Sequence, residues 1–134
     1  MEDHKEVFIL EDDRQRMVEF KLRFKDLARI THAETAEQAK LDLQRKRYDL
    51  ILLDHDLGGE VYVGTDHKNT GSEVARWITE NKESIDIANT IFLIHSLNPT
   101  GAQYMKKTLE RAGIKAHETP GVWLRPTFSK TIII

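Results

Sequence analysis

Four aliphatic residues in a row, Leu50-Ile51-Leu52-Leu53, run straight into Asp54-His55-Asp56, and Leu57 and two glycines follow. An uninterrupted aliphatic run of this length fits a strand covered on both faces, as in a parallel sheet with helices above and below. The chain must then supply a layer on each side of this strand. Two aspartates at its carboxyl end place like charges side by side, and each raises the other's pKa unless a cation or a donor stands near. Asp and Gly are also ordinary turn residues, so the meaning of this strand end depends on what the other strands bring to it.

Val7-Phe8-Ile9-Leu10 is a second apolar run, and it too ends in acid, at Glu11-Asp12-Asp13. Met17, Phe20, Phe24 and Leu27 then recur at helical spacing, one apolar stripe of an amphipathic helix. Asp13 suits its N-cap, which leaves two acids over. Ala28–Ala33 reads as a short strand. Thr35 opens the next helix, with Gln38 completing a capping-box pattern, Ala36, Ala39 and Leu43 facing inward, and Lys40, Arg45 and Lys46 in solvent. Gly58–Asn69, which holds Gly64, Asp66, His67 and Lys68, is a long polar connection for an α/β unit. Thr70-Gly71-Ser72 starts a helix whose apolar face is Val74, Trp77 and Ile78. Thr90–Ile94 is a fourth strand, ending in His95-Ser96-Leu97-Asn98-Pro99. Asn98 as N-cap with Pro99 at the first helical position is a strong start signal, and that helix carries Ala102, Met105 and Leu109 and stops at Gly113. Ile114–Glu118 is the fifth strand.

Strands and helices thus alternate without a repeat or linker through one domain, residues 1–134. This pattern predicts an α/β fold with a five-stranded parallel, doubly wound sheet in the order 2-1-3-4-5. Right-handed crossovers bring all strand carboxyl ends to one edge, where such sheets bind ligands. That edge receives Glu11, Asp12 and Asp13, then Asp54, His55 and Asp56, then His95 and Ser96. Three polar clusters converging on one edge point to a functional acidic site. The net charge of −2 gives no basic surface for general nucleic-acid binding, and the absence of cysteine excludes disulfides and thiolate chemistry. The acidic start MEDHKEVFIL does not suit a signal peptide, and no window is long and apolar enough to span a bilayer, so a cytoplasmic domain without membrane contact is expected.

LEDDR and YDLILLD resemble the first and third strands of the receiver domain of bacterial response regulators. DHDLGG, the later Thr70-Gly71 and HSLNPTGAQYM are similar to a divergent subgroup, the cyclic-phosphate-processing receiver domains, over roughly Val7–Gly113. The resemblance implies a flavodoxin-like, receiver-like sheet, and the short region after Gly121 departs from it in leaving the last helix shortened or missing. It makes Asp54 the phospho-acceptor of a receiver. It implies Mg²⁺, or Mn²⁺, held by Asp12, Asp54 and the backbone carbonyl of Asp56, with Glu11 acting through water, in keeping with the oxygen ligands Mg²⁺ prefers. Two positions depart from the receiver pattern. His95 followed by Ser96 stands where receivers have Ser or Thr, and Thr119-Pro120 stands where they have a lysine before proline.

Those departures favour a cyclic-phosphate phosphoesterase, acting on a nucleotide or an RNA end. In that reading Asp54 is a candidate nucleophile or ligand, His95 handles a proton, Ser96 and Asn98 donate to oxygens, and His55 lies between two acids. His67 with Asp66 and Lys68 is a candidate to close over a ligand. The alternative is a single-domain switch phosphorylated on Asp54 within a phosphorelay and read by a signalling protein. Zinc is a third metal, since Asp54, His55, Asp56 and His95 offer nitrogen and carboxylate ligands, though no compact ligand pair supports it. In the tail, Trp123 and Phe128 are expected to cover the sheet, and Thr131–Ile134 to pair with an edge or a second copy in a homodimer.

Overall fold

The computed structural model describes residues 4–57, 64–96 and 98–118. In chain order they form β1 (Lys5–Leu10), α1 (Arg14–Arg23), β2 (Ala28–Ala33), α2 (Ala36–Leu43), β3 (Leu50–Leu53), α3 (Gly71–Glu80), β4 (Ile91–Ile94), α4 (Pro99–Arg111) and β5 (Ala116–Glu118). All strand pairs are parallel and the sheet order is β2-β1-β3-β4-β5, as the alternation predicts. The expectations placed on the last helix, Thr119-Pro120, Trp123, Phe128 and Thr131–Ile134 lie outside the described residues.

The two faces of the sheet have separate cores. Val7, Ile9, Leu50, Leu52 and Leu93 pack with Met17, Phe20 and Phe24 of the α1 segment. Phe8, Leu10, Ile51, Leu53, Phe92 and Ile94 pack with α2, α3 and α4 through Ala39, Leu43, Val74, Ile78, Met105 and Leu109. Successive strand residues point to opposite faces, so the unbroken aliphatic runs of β1, β3 and β4 feed both cores at once. Truncating one such buried leucine to alanine costs about 2–5 kcal/mol.

Helix starts follow the cap signals. Asp13 Oδ1 accepts from the Gln15 and Arg16 amides, Thr35 Oγ1 from Gln38, Thr70 Oγ1 from Glu73, and Asn98 Oδ1 from Gly101. The box expected at α2 is half formed, because the Gln38 side chain donates to Asp42 Oδ1 at 2.8 Å instead of returning to the cap. Lys40 is not merely solvated: its Nζ pairs with Glu73 Oε2 at 2.8 Å and ties α2 to α3. Gly113 ends α4 with φ of 83°, a conformation that favours glycine.

The register sets up the carboxyl edge. Leu10, Leu53 and Ile94 are paired across β1, β3 and β4. The ladder runs one residue further, with the Asp54 amide on the Leu10 carbonyl at 3.2 Å and the His95 amide on the Leu53 carbonyl at 3.0 Å. Glu11, Asp54 and His95 therefore stand side by side on the α1 face.

Candidate functional site

Glu11 is fully buried and Asp54 is 3 % exposed, so two carboxylates share a low-dielectric pocket. Every lone-pair direction on Glu11 is in use. Its Oε1 accepts from His95 Nε2 at 2.9 Å and Arg16 Nε at 3.0 Å, and its Oε2 accepts from Arg16 Nη2 at 2.9 Å and the Asp13 amide at 3.0 Å. Burial opposes ionisation of Glu11, but the hydrogen bonds and charges of His95 and Arg16 outweigh it and hold the pKa at about 2. Asp54 has weaker help: the His55 amide donates to Oδ1 at 2.8 Å, and Arg16 Nη2 reaches Oδ2 only at 3.4 Å. Burial first, then the negative charge of Glu11, pushes the Asp54 carboxyl up to about 8. Two buried acids thus titrate as a pair in which Glu11 takes the charge and Asp54 keeps the proton.

His95 closes the group from β4. Its ring is buried, with Phe20 edge-on at 5.0 Å between centroids, and its Nδ1 has no hydrogen-bond partner among the described residues. One donor atom from each of Glu11, Asp54 and His95 lies within 4.8 Å of the others. Asp12 stands at the rim, half-buried, where it lines a depression of about 290 Å³ with Arg14, Lys21, His32 and Glu34. Its charge also raises Asp54. His32 Nε2 hydrogen-bonds the Glu11 carbonyl at 2.6 Å and steadies the strand end from β2.

The remaining candidates gather on the opposite face of the sheet. His55 follows Asp54 directly, so the pleat sends its ring under α4, where it is fully buried against Gly101. Asp56 Oδ1 accepts from His55 Nδ1 at 2.9 Å and from Asn98 Nδ2 at 3.1 Å, and His55 Nε2 has no hydrogen-bond partner among the described residues. Ser96 Oγ accepts from the Asn98 amide at 3.0 Å and serves the turn into α4. The sequence thus merged two groups: Glu11, Asp54 and His95 meet under α1, and His55, Asp56 and Asn98 meet under α4. Gly71 joins these levels, because an added Cβ would overlap the Asp54 carbonyl oxygen. Asp66, His67 and Lys68 are exposed, and His67 Nδ1 accepts from the Asn69 amide at 3.1 Å, a local turn contact.

Sequence reasoning missed Arg16. It sits in the first turn of α1, where side chains lean toward the helix N-terminus, back onto the acids that precede the helix. That lean was the available signal.

The match to known families decides what this edge belongs to. Residues 7–111 match the model of the cyclic-phosphate processing receiver domain. The chain belongs to that family. Receiver domains are among the solved structures similar to this cyclic-phosphate processing receiver. The signal receiver domain of a protein described as a Luxo repressor from Vibrio parahaemolyticus shares 22% identity over 96% of this chain and 86% of that one, with a TM-score of 0.63. Chemotaxis protein CheY4 of Vibrio cholerae shares 13% over 98% and 100%, with a TM-score of 0.67. The HemR receiver domain of Leptospira biflexa shares 21% over 87% and 81%, with a TM-score of 0.60. Identity this low supports the fold alone. No curated protein sequence matches the chain.

The residues of this cyclic-phosphate processing receiver fit a divalent cation. Glu11, Asp54 and His95 offer two buried carboxylates and an imidazole nitrogen. Carboxylates suit Mg²⁺ and Mn²⁺, and an added nitrogen suits Mn²⁺ or Zn²⁺ better than Mg²⁺. The Arg16 guanidinium marks the need, since it already places a positive charge between Glu11 and Asp54.

Proposed function

We propose that this receiver-like domain binds a cyclic phosphate, on a nucleotide or an RNA end, at the Glu11–Asp54–His95 edge and hydrolyses it to a phosphomonoester. The observation that supports this reading most is the buried pair of unequal acids, Glu11 charged and Asp54 holding a proton into the neutral range. A site that must receive a dianionic product benefits from a carboxyl that stays neutral until a cation arrives. Glu11 and Asp54, with His95 and the rim residue Asp12, are the groups that would hold Mg²⁺ or Mn²⁺, and the backbone carbonyl of Asp56 remains a candidate ligand. When bound, the ion supplies neutralisation of the phosphate oxygens.

The chain's own groups account for the rest. In hydrolysis a water oxygen bonds to phosphorus, one ring P–O bond breaks, and the released alkoxide takes a proton. Before the ion binds, Asp54 holds a proton at its buried carboxyl, and it gives that proton up on becoming a ligand. His95 carries one at Nε2 and shares it with Glu11 Oε1, which places imidazole and carboxylate in a proton-holding pair. Asn98, His55 and Asp56 support the strand end from the other face, and Ser96 sets the turn into α4.

The test is direct incubation with Mg²⁺ or Mn²⁺ and a panel of cyclic nucleotides and cyclic-phosphate-ended RNAs. Ring opening by the parent, lost in Asp54→Ala, supports the reading. Stable phosphorylation of Asp54 by a small phosphodonor, with no cyclic phosphate bound or opened, supports a receiver switch instead.

A further inference from the structure

We infer that Arg16 is the resident cation of this site, which a divalent ion must displace, and that the displaced guanidinium then binds the phosphate. The inference rests on the metal-assisted reading above. Its first half follows from counting lone pairs. A carboxylate offers about four acceptor directions, and Glu11 has four donors, two of them from Arg16. An ion that takes Glu11 as a ligand must remove one of them. His95 is a ring locked in the sheet and the Asp13 amide is backbone. Arg16 is a long side chain, 24 % exposed, whose further contacts are Asp13 Oδ2 at 3.5 Å and Asp54 Oδ2 at 3.4 Å. It is the donor that can leave.

Asp54 leads to the same exchange. Among the described residues, Arg16 is the one lysine or arginine within ion-pair distance of Glu11 or of Asp54. Its single Nη2 serves both acids, at 2.9 Å to Glu11 and 3.4 Å to Asp54. A divalent ion shared by those oxygens and a guanidinium already bonded to them compete for the same lone pairs and repel each other. Exchange keeps the buried carboxylates neutralised throughout, whereas an empty pocket would leave a buried charge unpaired.

Once released, the guanidinium stays tethered to the first turn of α1, at the rim of the pocket it has just left. A planar fork of N–H donors suits phosphate oxygens. The exchange therefore turns an internal counter-ion into an anion-binding arm at the moment the site gains its ion.

The experiment is calorimetry of Mn²⁺ binding to the parent, Arg16→Gln and Arg16→Lys, followed by inorganic phosphate binding at saturating Mn²⁺. A charge a few ångströms away shifts such an equilibrium by roughly one to three powers of ten. Mn²⁺ should therefore bind Arg16→Gln at least about tenfold more tightly than the parent, with Arg16→Lys between them. Phosphate should bind the Mn²⁺-loaded Arg16→Gln about tenfold more weakly, the scale of a lost charge-assisted hydrogen bond. In the parent, the Arg16 Nε–H resonance should lose its Glu11 partner on addition of diamagnetic Mg²⁺. Unchanged or weaker Mn²⁺ affinity in a folded Arg16→Gln, or an unmoved Nε–H signal at saturating Mg²⁺, overturns the exchange. Tighter Mn²⁺ with unchanged phosphate affinity overturns the arm. All of these readouts stand whether or not a cyclic phosphate is hydrolysed, so failure of that reaction is seen separately.

Discussion

Gly101, in the first turn of α4, lies against the imidazole of His55, and a Cβ added to it would overlap the ring at Cγ, Cδ2 and Nδ1. The glycine two residues after Pro99 and the histidine directly after Asp54 therefore fit each other across the sheet edge. In an open helix Gly→Ala is stabilising by up to about 1 kcal/mol. Here Gly101→Ala should destabilise by about 1–3 kcal/mol, the usual cost of forcing extra volume into a packed site. Combining it with His55→Ala should recover part of that loss. Urea melts of the two single variants and the double variant check this, and additive losses would refute the fit.

Asn98 tests whether the two faces are separate. It caps α4 through Oδ1 and holds Asp56 through Nδ2. Asn98→Ala should cost about 1–2 kcal/mol, in the range of a lost cap plus a buried bond. Because the Asn98 side chain lies on the far face of the sheet from Glu11, Asp54 and His95, Mn²⁺ affinity should stay within about twofold of the parent. A tenfold weaker ion would show that both faces act as one site.

Asp54 sets a pH signature. Unfolded, it loses its proton near 3.8, and folded, at about 8. Between those values the unfolded chain binds fewer protons, so this group lowers stability as pH rises from about 4 to 8. Glu11 acts in the opposite sense: its pKa falls from 4.5 to about 2 on folding, so its contribution is full above 4.5 and is lost as pH falls toward 2. Asp54→Asn should therefore gain on the parent steadily between pH 4 and 8, with a slope of about 1.4 kcal/mol per pH unit as the upper bound. Guanidinium melts without divalent ions across that range check it. A constant gap between parent and variant would contradict the shifted Asp54.

How much of this was legible in the chain depends on which interactions are local. Aliphatic runs at Val7–Leu10, Leu50–Leu53 and Ile91–Ile94 and the caps at Asp13, Thr35, Thr70 and Asn98 are written in adjacent residues, and strand order followed from their alternation. The division of the edge was not. Asp54 and His55 are neighbours in sequence, yet the pleat sends them to opposite cores. Grouping Glu11 with Asp54 and His95 needs the pairing of Leu10 with Leu53 and of Leu53 with Ile94, which is non-local information. Arg16 was overlooked because a charged residue in a first helical turn is ordinarily solvated. Only the burial of Glu11 makes it a partner.

The central claim is that the Glu11–Asp54–His95 edge processes a cyclic phosphate, and ³¹P NMR of a 2′,3′-cyclic nucleotide with the protein and Mn²⁺-free Mg²⁺ buffer tests it most directly. The account predicts that the cyclic phosphate signal gives way to a phosphomonoester signal. It predicts further that the conversion is lost in Asp54→Ala and slowed by about 10²-fold in His95→Ala, the scale of a missing acid–base group. A cyclic phosphate signal that neither broadens nor shifts, across a panel of cyclic nucleotides and RNA ends, while acetyl phosphate modifies Asp54, would contradict it.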